Sequence, residues 1–179
     1  GISLYDATEM RPSYGADNSG DETRINELIE HALHNDRFRL VYQPIVSLQG
    51  DSRENYAVLT RLLDNNNEEI LPDYFIKYAE EGEQMDQVDR WVINKAIEEL
   101  ASQRKQGRKV NFFVTLSSSA LADHGLLLWV CDCLRQHNAK GAWLTFQIRD
   151  RDLRGNVKST KDLIEGLKKI KCQLAVDQF

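Results

Sequence analysis

Hydrophobic side chains along this chain recur with helical spacing in some segments and form strand-like runs in others. The first regular segment begins near residue 23, where apolar residues three and four positions apart predict an amphipathic helix. Runs rich in β-branched and aromatic residues follow and predict strands. These runs cover about residues 38–46, 56–62, 110–116, 143–148 and 172–177.

The segments between these runs carry helical periodicity and helix start signals. Pro72 and Asp73 predict the start of a short helix, because proline suits a first turn and aspartate a cap. Further helices are predicted over about residues 86–106 and 120–136, and after the caps Ser159 and Thr160. In the helix over 86–106, apolar residues recur at steps of four: Val88, Val92, Ala96 and Leu100.

Alternation of strands and helices in this order predicts an α/β fold with a parallel sheet or barrel. In such a barrel the ligand site lies at the carboxyl ends of the strands. A complete eight-stranded barrel takes roughly 250 residues, and the pattern contains about five strands. We therefore expect the 179 residues to cover the first part of a TIM-like (β/α) barrel.

The residues before the first helix have a different composition. Residues 9–22 are rich in Pro, Gly, Ser, Asn and Asp, which is typical of a linker. Residues 2–6 form a short strand-like segment, which predicts the end of a preceding domain. The predicted organisation is a tail over 1–8, a linker over 9–22 and one barrel domain over 23–179.

Composition limits the classes of function. The chain is 41% hydrophobic and 28% charged, as globular proteins are, and its net charge of −5 argues against DNA binding. No run approaches the roughly 18 apolar residues of a membrane span, and the start shows no signal-peptide pattern. The three cysteines lack metal-ligand spacing. We therefore expect a cytoplasmic protein with reduced thiols.

Short motifs occur at regular places along the predicted strands and helices. They are YQPIV at 42–46, AVLTR at 57–61, PDYFIKYAEE at 72–81, WVINKA at 91–96, TLS at 115–117, QIRD at 147–150 and DQF at 177–179. The set resembles, in order, the motifs of EAL domains, the (β/α) barrels of bacterial cyclic-di-GMP signalling. The resemblance covers about residues 23–179, and residues 2–6 resemble the last strand of a GGDEF domain, the usual upstream neighbour.

The resemblance implies a loss of catalysis. Active EAL domains cleave a phosphodiester with two divalent cations, which carboxylate and amide oxygens bind. The family's metal ligands are the first Glu of EAL, the Asn of NLS, the first Glu of EITE and the Asp pair of DDF. At these positions the chain has Ala57, Thr115, Gln147 and Asp177 with Gln178, and Asp150 matches the second Glu of EITE. The resemblance thus implies a degenerate phosphodiesterase, without catalytic residues and without a divalent metal.

The resemblance also implies that ligand-binding groups are retained. Gln43 offers an amide to a guanine or phosphate, Arg61 a forked cation, and Asp89 an acceptor for guanine N–H groups. The implied cyclic-di-GMP site comprises Gln43, Leu59, Thr60, Arg61, Pro72, Phe75, Asp89, Gln147, Asp177 and Phe179.

Structural interpretations of these residues stay open. Gln43 before proline can cap a strand end, Arg61 can form a surface ion pair, and Asp89 can be a charge on a helix surface. The apolar members also fit plain packing, in the core or at a helix start: Leu59, Pro72 and Phe75.

Three functions are compatible with these features. Retained binding groups without metal ligands resemble the FimX-type GGDEF–EAL receptors, which bind cyclic-di-GMP and govern type IV pili through a partner such as a PilZ-domain adaptor. The second function is a phosphodiesterase with an altered metal site. The third is an interaction scaffold that binds neither ligand nor metal.

Overall fold

Six strands form one mixed sheet in the computed structural model, which describes residues 18–46, 54–155 and 157–177. The sheet has the order β1-β2-β4-β5-β6, with β3 paired to β2. All strands except β3 correspond to the predicted runs. They are β1 (Phe38–Ile45), β2 (Glu54–Leu63), β3 (Glu69–Ile70), β4 (Val110–Leu116), β5 (Leu144–Arg149) and β6 (Gln173–Asp177).

The direction of β1 differs from the expected parallel arrangement. Strands β2, β4, β5 and β6 are parallel, as predicted. Strand β1 is antiparallel to β2, with Gln43 opposite Ala57. Only residues 46–53 separate the two strands, and a parallel crossover needs about a dozen residues or more. The predicted parallel pairing therefore holds for β2, β4, β5 and β6 but not for β1.

The short strand β3 follows a tight turn that the hydrophobic pattern does not reveal. Asp64 Oδ1 accepts hydrogen bonds from the backbone N–H groups of Asn66 (2.8 Å) and Glu68 (2.9 Å). Aspartate favours such turns because its side chain can bond to nearby backbone groups. The turn reverses the chain and places Ile70 opposite Leu62.

Helices pack against one side of the sheet, and two of them begin earlier than predicted. They are α1 (Asn18–Asn35), α2 (Pro72–Glu81), α3 (Met85–Lys105), α4 (Ser118–Leu121), α5 (Leu126–Gln136), α6 (Asp150–Gly155) and α7 (Val157–Lys169), with a 3-10 turn at Gly141–Trp143. Residues 18–22, assigned to the linker, are helical, and Asp21 there suits the positive end of the helix dipole. Ser159 and Thr160 lie inside α7 and therefore do not cap it.

Two other helix boundaries also differ from the prediction. Helix α2 starts at Pro72 as predicted, but its N-cap is Leu71, and Asp73 lies in the first turn. The helix predicted over 120–136 is interrupted between α4 and α5, where the Asp123 carboxylate accepts a bond from the Gly125 N–H (3.0 Å). A side chain that bonds its own backbone in this way competes with helix continuation.

The hydrophobic core lies between the helices and one face of the sheet. Helix α3 contributes the predicted stripe, all buried: Val88, Val92, Ala96 and Leu100. Every second strand residue faces it, namely Phe112, Val114 and Leu116 of β4 and Leu144, Phe146 and Ile148 of β5. Burial of each large apolar side chain contributes roughly 1.5–3 kcal/mol.

We call the opposite face of the sheet the open face, and toward the carboxyl ends of β4, β5 and β6 it carries small and polar residues. Side chains alternate between the two faces of a strand. Thr115, Gln147 and Ala175 are paired in register and therefore share the open face. Arg149 and Asp177 form the next pair on this face, toward the carboxyl ends. In a (β/α) barrel such a face lines the interior.

Cys131, Cys133 and Cys172 are free thiols, and burial raises the pKa of Cys133 and Cys172. Within the described ranges, no helix has the length and apolar character that crossing a bilayer requires.

Candidate functional site

A cavity of about 190 Å³ opens at the carboxyl ends of β2 and β4. The two strands pair from Glu54 and Val110 to Ala57 and Phe113, where their pairing ends. The residues that follow in both strands line the cavity together with α2, α3 and the end of β5. This is the position at which a parallel (β/α) fold places its ligand site. The cavity brings together half of the predicted site residues: Leu59, Thr60, Pro72, Phe75 and Asp89.

Apolar side chains form the walls of this cavity. Pro72, the first residue of α2, fixes the start of the helix, so that Phe75 follows one turn later. Phe75 is fully buried, and its ring lies 5.9 Å from that of Phe38. It therefore belongs to the core and to the cavity wall, whereas Leu59 is only half-buried and has surface left for a ligand.

Asp89 is the buried carboxylate of the cavity. It lies in α3 with 6% of its surface exposed, and it accepts a hydrogen bond from the Ser117 hydroxyl. Ser117 Oγ in turn accepts a bond from the Ala120 N–H (3.2 Å), which fixes its orientation. Burial raises the pKa of Asp89 to about 7, although the Ser117 bond acts in the opposite direction. The interpretation as a helix-surface charge was therefore wrong.

Arg149 is the cation of the cavity. It is the last residue of β5, its side chain is 29% exposed, and it lines the cavity together with Asp89 and Thr115. Its Nε donates to Asp152 Oδ2 at 3.1 Å. A guanidinium carries its charge on a planar fork of donors, which suits carboxylate and phosphate oxygens.

Arg61 does not line the cavity. Its side chain is 4% exposed, its Nη1 donates to the Thr60 carbonyl oxygen (3.1 Å), and its Nε lies 3.8 Å from Glu69 Oε2. The Arg61 side chain of this ion pair is therefore buried, whereas the Glu69 side chain is partly exposed. The pair is not the surface ion pair that the sequence suggested. A ligand contact by Arg61 stays a prediction.

Three of the remaining predicted residues lie on the open face of the sheet and do not line the cavity: Gln43, Gln147 and Asp177. Gln43 is exposed on β1 opposite Ala57. Gln147 lies beside Thr115, whose hydroxyl is 3.4 Å from Gln147 Oε1. Asp177 pairs in register with Arg149. Phe179 lies outside the described residues.

Ser117 and Arg149 line the cavity, although neither was among the predicted site residues. Both belong to the motifs at 115–117 and 147–150. Arg149 follows Gln147 by two positions in β5, so strand alternation places it on the same face, and this periodicity was the signal by which the sequence could have revealed it. Ser117 directly follows β4 and is the N-cap of α4, a position that the predicted end of the strand at residue 116 could have indicated.

The positions of the family's metal ligands also lie on this part of the sheet. Ala57 ends the part of β2 that pairs with β4, and Thr115 and Gln147 are neighbours on β4 and β5. Asp150 opens α6 and pairs with Arg154 at 2.8 Å. Across the described ranges, no three His, Cys, Asp or Glu side chains are grouped closely enough to hold a metal ion.

Parallel strands, covering helices and a cavity at the carboxyl ends define this chain as part of a (β/α) barrel. The sequence profile of the EAL domain family matches residues 26–179, so the chain belongs to the EAL domain family. The predicted family and fold class are thereby confirmed.

Solved structures show the same fold. The FimX EAL domain from Pseudomonas aeruginosa bound to c-di-GMP is 39% identical, with a TM-score of 0.81 over 87% of this chain and 62% of that one. The Xanthomonas citri FimX EAL domain in complex with c-diGMP is 25% identical, with a TM-score of 0.83 over 89% of this chain and 62% of that one. The predicted likeness to FimX is thus confirmed for sequence and fold.

Curated relatives include enzymes. Cyclic di-GMP phosphodiesterase PdeF of Escherichia coli strain K12 is 26% identical over 89% of this chain, and NbdA of Pseudomonas aeruginosa, also named as a cyclic di-GMP phosphodiesterase, is 28% identical over 88%. The chain spans only 21% and 20% of these two proteins.

Proposed function

We propose that this chain binds cyclic-di-GMP at the cavity between β2 and β4 and does not hydrolyse it. The observation that carries the proposal is the buried carboxylate of Asp89 between apolar walls. Guanine presents neighbouring N–H donors on one edge and a flat apolar ring. A carboxylate can accept both N–H groups, and Leu59 and Pro72 can contact the ring faces.

The size of the cavity supports the insertion of one base. Its volume of about 190 Å³ is smaller than the roughly 300–1,000 Å³ of sites for whole drug-sized ligands. One guanine would therefore enter the cavity, and the rest of the dinucleotide would extend over the open face past Gln147 and Asp177. The FimX EAL domains, which are solved with c-di-GMP, support this choice of ligand.

The residues at the metal-ligand positions support the absence of hydrolysis. Ala57 has no donor atom, and Thr115 and Gln147 are neutral. Two divalent cations require several carboxylate oxygens, because these are the hard ligands that compensate their charge. Asp177 supplies one carboxylate, and Asp150 is already paired with Arg154. The set does not fit a two-metal centre, so we propose binding without a divalent metal.

A receptor acts through a partner, and we propose a PilZ-domain adaptor in type IV pilus signalling. This step rests on the likeness to the FimX group. By linkage, a partner that prefers the ligand-bound form must strengthen nucleotide binding by the same factor by which the nucleotide strengthens partner binding. Without hydrolysis, occupancy of the site would follow the ligand concentration.

The phosphodiesterase names of PdeF and NbdA favour one alternative, an enzyme with an altered metal site. Calorimetric titration of the complete EAL domain with cyclic-di-GMP in the presence of a chelator separates the two functions. We expect saturable binding, and no linear dinucleotide product when magnesium or manganese is then added. Product formation would support the phosphodiesterase instead, and absence of binding would leave the scaffold.

A further inference from the structure

Arg149 occupies a position from which it can reach a ligand in the cavity. It ends β5 on the open face, in register with Asp177 of β6. The same cavity is lined by Asp89, Thr115 and Ser117, and Arg149 is the only cation among its described lining residues. A ligand whose base fills the cavity would therefore extend past this guanidinium.

The hydrogen bond of Arg149 leaves the two terminal nitrogens of its guanidinium available for a ligand. The hydrogen bond that it forms to described residues uses Nε, which donates to Asp152 Oδ2 at 3.1 Å. The terminal Nη1 and Nη2 groups have no partner among those residues. Arg61, in contrast, is buried, bonded to the Thr60 carbonyl oxygen and close to Glu69.

The charges around the cavity require a cation for any anionic ligand. Asp89 lines it, and Asp177 is the neighbour of Arg149 across the sheet. Each phosphodiester group of a cyclic dinucleotide carries one negative charge, which these carboxylates would repel. A guanidinium can bind two oxygens of one phosphate at once, which gives stronger and more directional bonds than neutral donors.

We infer that Arg149 binds a phosphate of the cyclic dinucleotide at the mouth of the cavity. This inference rests on the proposed function, and it adds a ligand-binding residue that the family motifs do not provide, since EITE has threonine at this position. On the open face, the Arg149 guanidinium keeps its Nε bond to Asp152 and donates from Nη1 and Nη2 to the phosphate oxygens.

The test compares variants of the complete EAL domain by calorimetric titration with cyclic-di-GMP in a chelator. Arg149→Thr introduces the residue of the family motif, and we expect about 10- to 100-fold weaker binding, as for the loss of charged hydrogen bonds. Arg149→Lys should recover part of this loss, because it keeps the charge without the fork. Arg151→Thr, an exposed neighbour in α6, should stay within about twofold of the unchanged domain.

A second comparison separates ligand contact from a structural role. Asp152→Asn weakens the ion pair of Arg149 but leaves its guanidinium in place, so affinity should be equal or higher. Phosphorus NMR of the bound dinucleotide should show a shifted phosphate resonance that Arg149→Thr removes. A purely structural ion pair would instead make Asp152→Asn as damaging as Arg149→Thr, and that result would overturn the inference.

The outcomes also separate this inference from the proposed function. If the unchanged domain does not bind cyclic-di-GMP, both are wrong. If it binds and Arg149→Thr binds equally well, only the role of Arg149 is wrong. Loss of binding in a folded Arg149→Thr variant, checked by its thermal unfolding midpoint, with normal binding by Arg151→Thr, supports both.

Discussion

Two pockets of this chain differ in size and in chemistry. The larger, about 780 Å³, lies between β1 and α3, and the cavity between β2 and β4 has only about 190 Å³. In the larger groove, polar groups satisfy one another: Trp91 Nε1 donates to Asp36 Oδ1 at 2.9 Å, and Lys95 lies 3.4 Å from Glu98. In the smaller cavity, Asp89 is a buried carboxylate between apolar walls.

The difference shows that volume alone does not identify a ligand site. Exposed ion pairs contribute about 0–1 kcal/mol each and are easily replaced by water. A buried carboxylate is costly unless something compensates it, so it is a better sign of a function. The smaller cavity also lies at the carboxyl ends of parallel strands, where (β/α) folds place their ligand sites. The following variants test whether the ligand binds in the smaller pocket and not in the larger one.

The largest expected effect comes from removing the buried carboxylate. Asp89→Ala should weaken cyclic-di-GMP binding by about 100-fold, because the guanine N–H groups would lose a charged acceptor in a desolvated site. Calorimetric titration of the complete EAL domain measures this. Asp86→Ala is the matched control, because Asp86 is an exposed acid in the same helix. It should change affinity by less than about twofold, since exposed charges contribute little. If Asp89→Ala bound as tightly as the unchanged domain, the guanine base would not bind beside Asp89.

Asp89 should also make stability depend on pH. The pKa of this carboxyl is about 3.9 in an unfolded chain and is raised by burial to about 7 in the folded protein. Between these values the folded state binds more protons, so the free energy of unfolding falls as pH rises from about 4 to about 7 and then levels off. Asp89→Asn keeps an acceptor for Ser117 but cannot ionise.

Urea unfolding of both forms at pH 5 and pH 8 measures this contribution. The unchanged domain should lose on the order of a few kcal/mol more than Asp89→Asn between these two conditions. The comparison with the variant subtracts the titration of all other groups. An identical pH dependence of the two forms would contradict the raised pKa.

The same titration should appear in ligand binding, with the opposite sign. If guanine requires the ionised carboxylate, affinity should fall about tenfold between pH 8 and pH 6, because protonation of Asp89 then competes with the ligand. The acidic neighbours Asp86, Glu80 and Asp123 raise the pKa of Asp89 further, and Arg149 is the cation among the described residues that line the same cavity. Affinity of Asp89→Asn should be lower and independent of pH over this range.

The sequence was sufficient to predict most of the fold because hydrophobic periodicity reports burial directly. The stripe of α3 and the alternating residues of β4 appear where the pattern indicated. The antiparallel direction of β1 follows from the short connection to β2, and the predicted runs over 38–46 and 56–62 already left too few residues for a parallel crossover. The turn at Asp64, and with it β3, depends on side-chain bonds to the backbone.

Parts of the site were less predictable because they depend on where two strands separate. Motif positions indicated Leu59, Pro72, Phe75 and Asp89, which line the cavity together. Arg61 is buried and lies 3.8 Å from Glu69 of β3, a strand that the sequence did not predict. Arg149 was not predicted, because the EITE motif of the family has threonine at its position.

The smallest expected effect belongs to the larger groove. Lys95→Ala removes a half-exposed cation that lies 3.4 Å from Glu98 and 6.0 Å from the centre of the Trp91 ring. Both interactions are partly solvated, so the free energy of unfolding should change by less than about 1 kcal/mol. Cyclic-di-GMP affinity should change less than about twofold, since an exposed pair contributes little at a distance from the ligand. If Lys95→Ala instead weakened binding as strongly as Asp89→Ala, the ligand would occupy the large groove. Pocket volume, and not a buried charge, would then mark the ligand site of this domain.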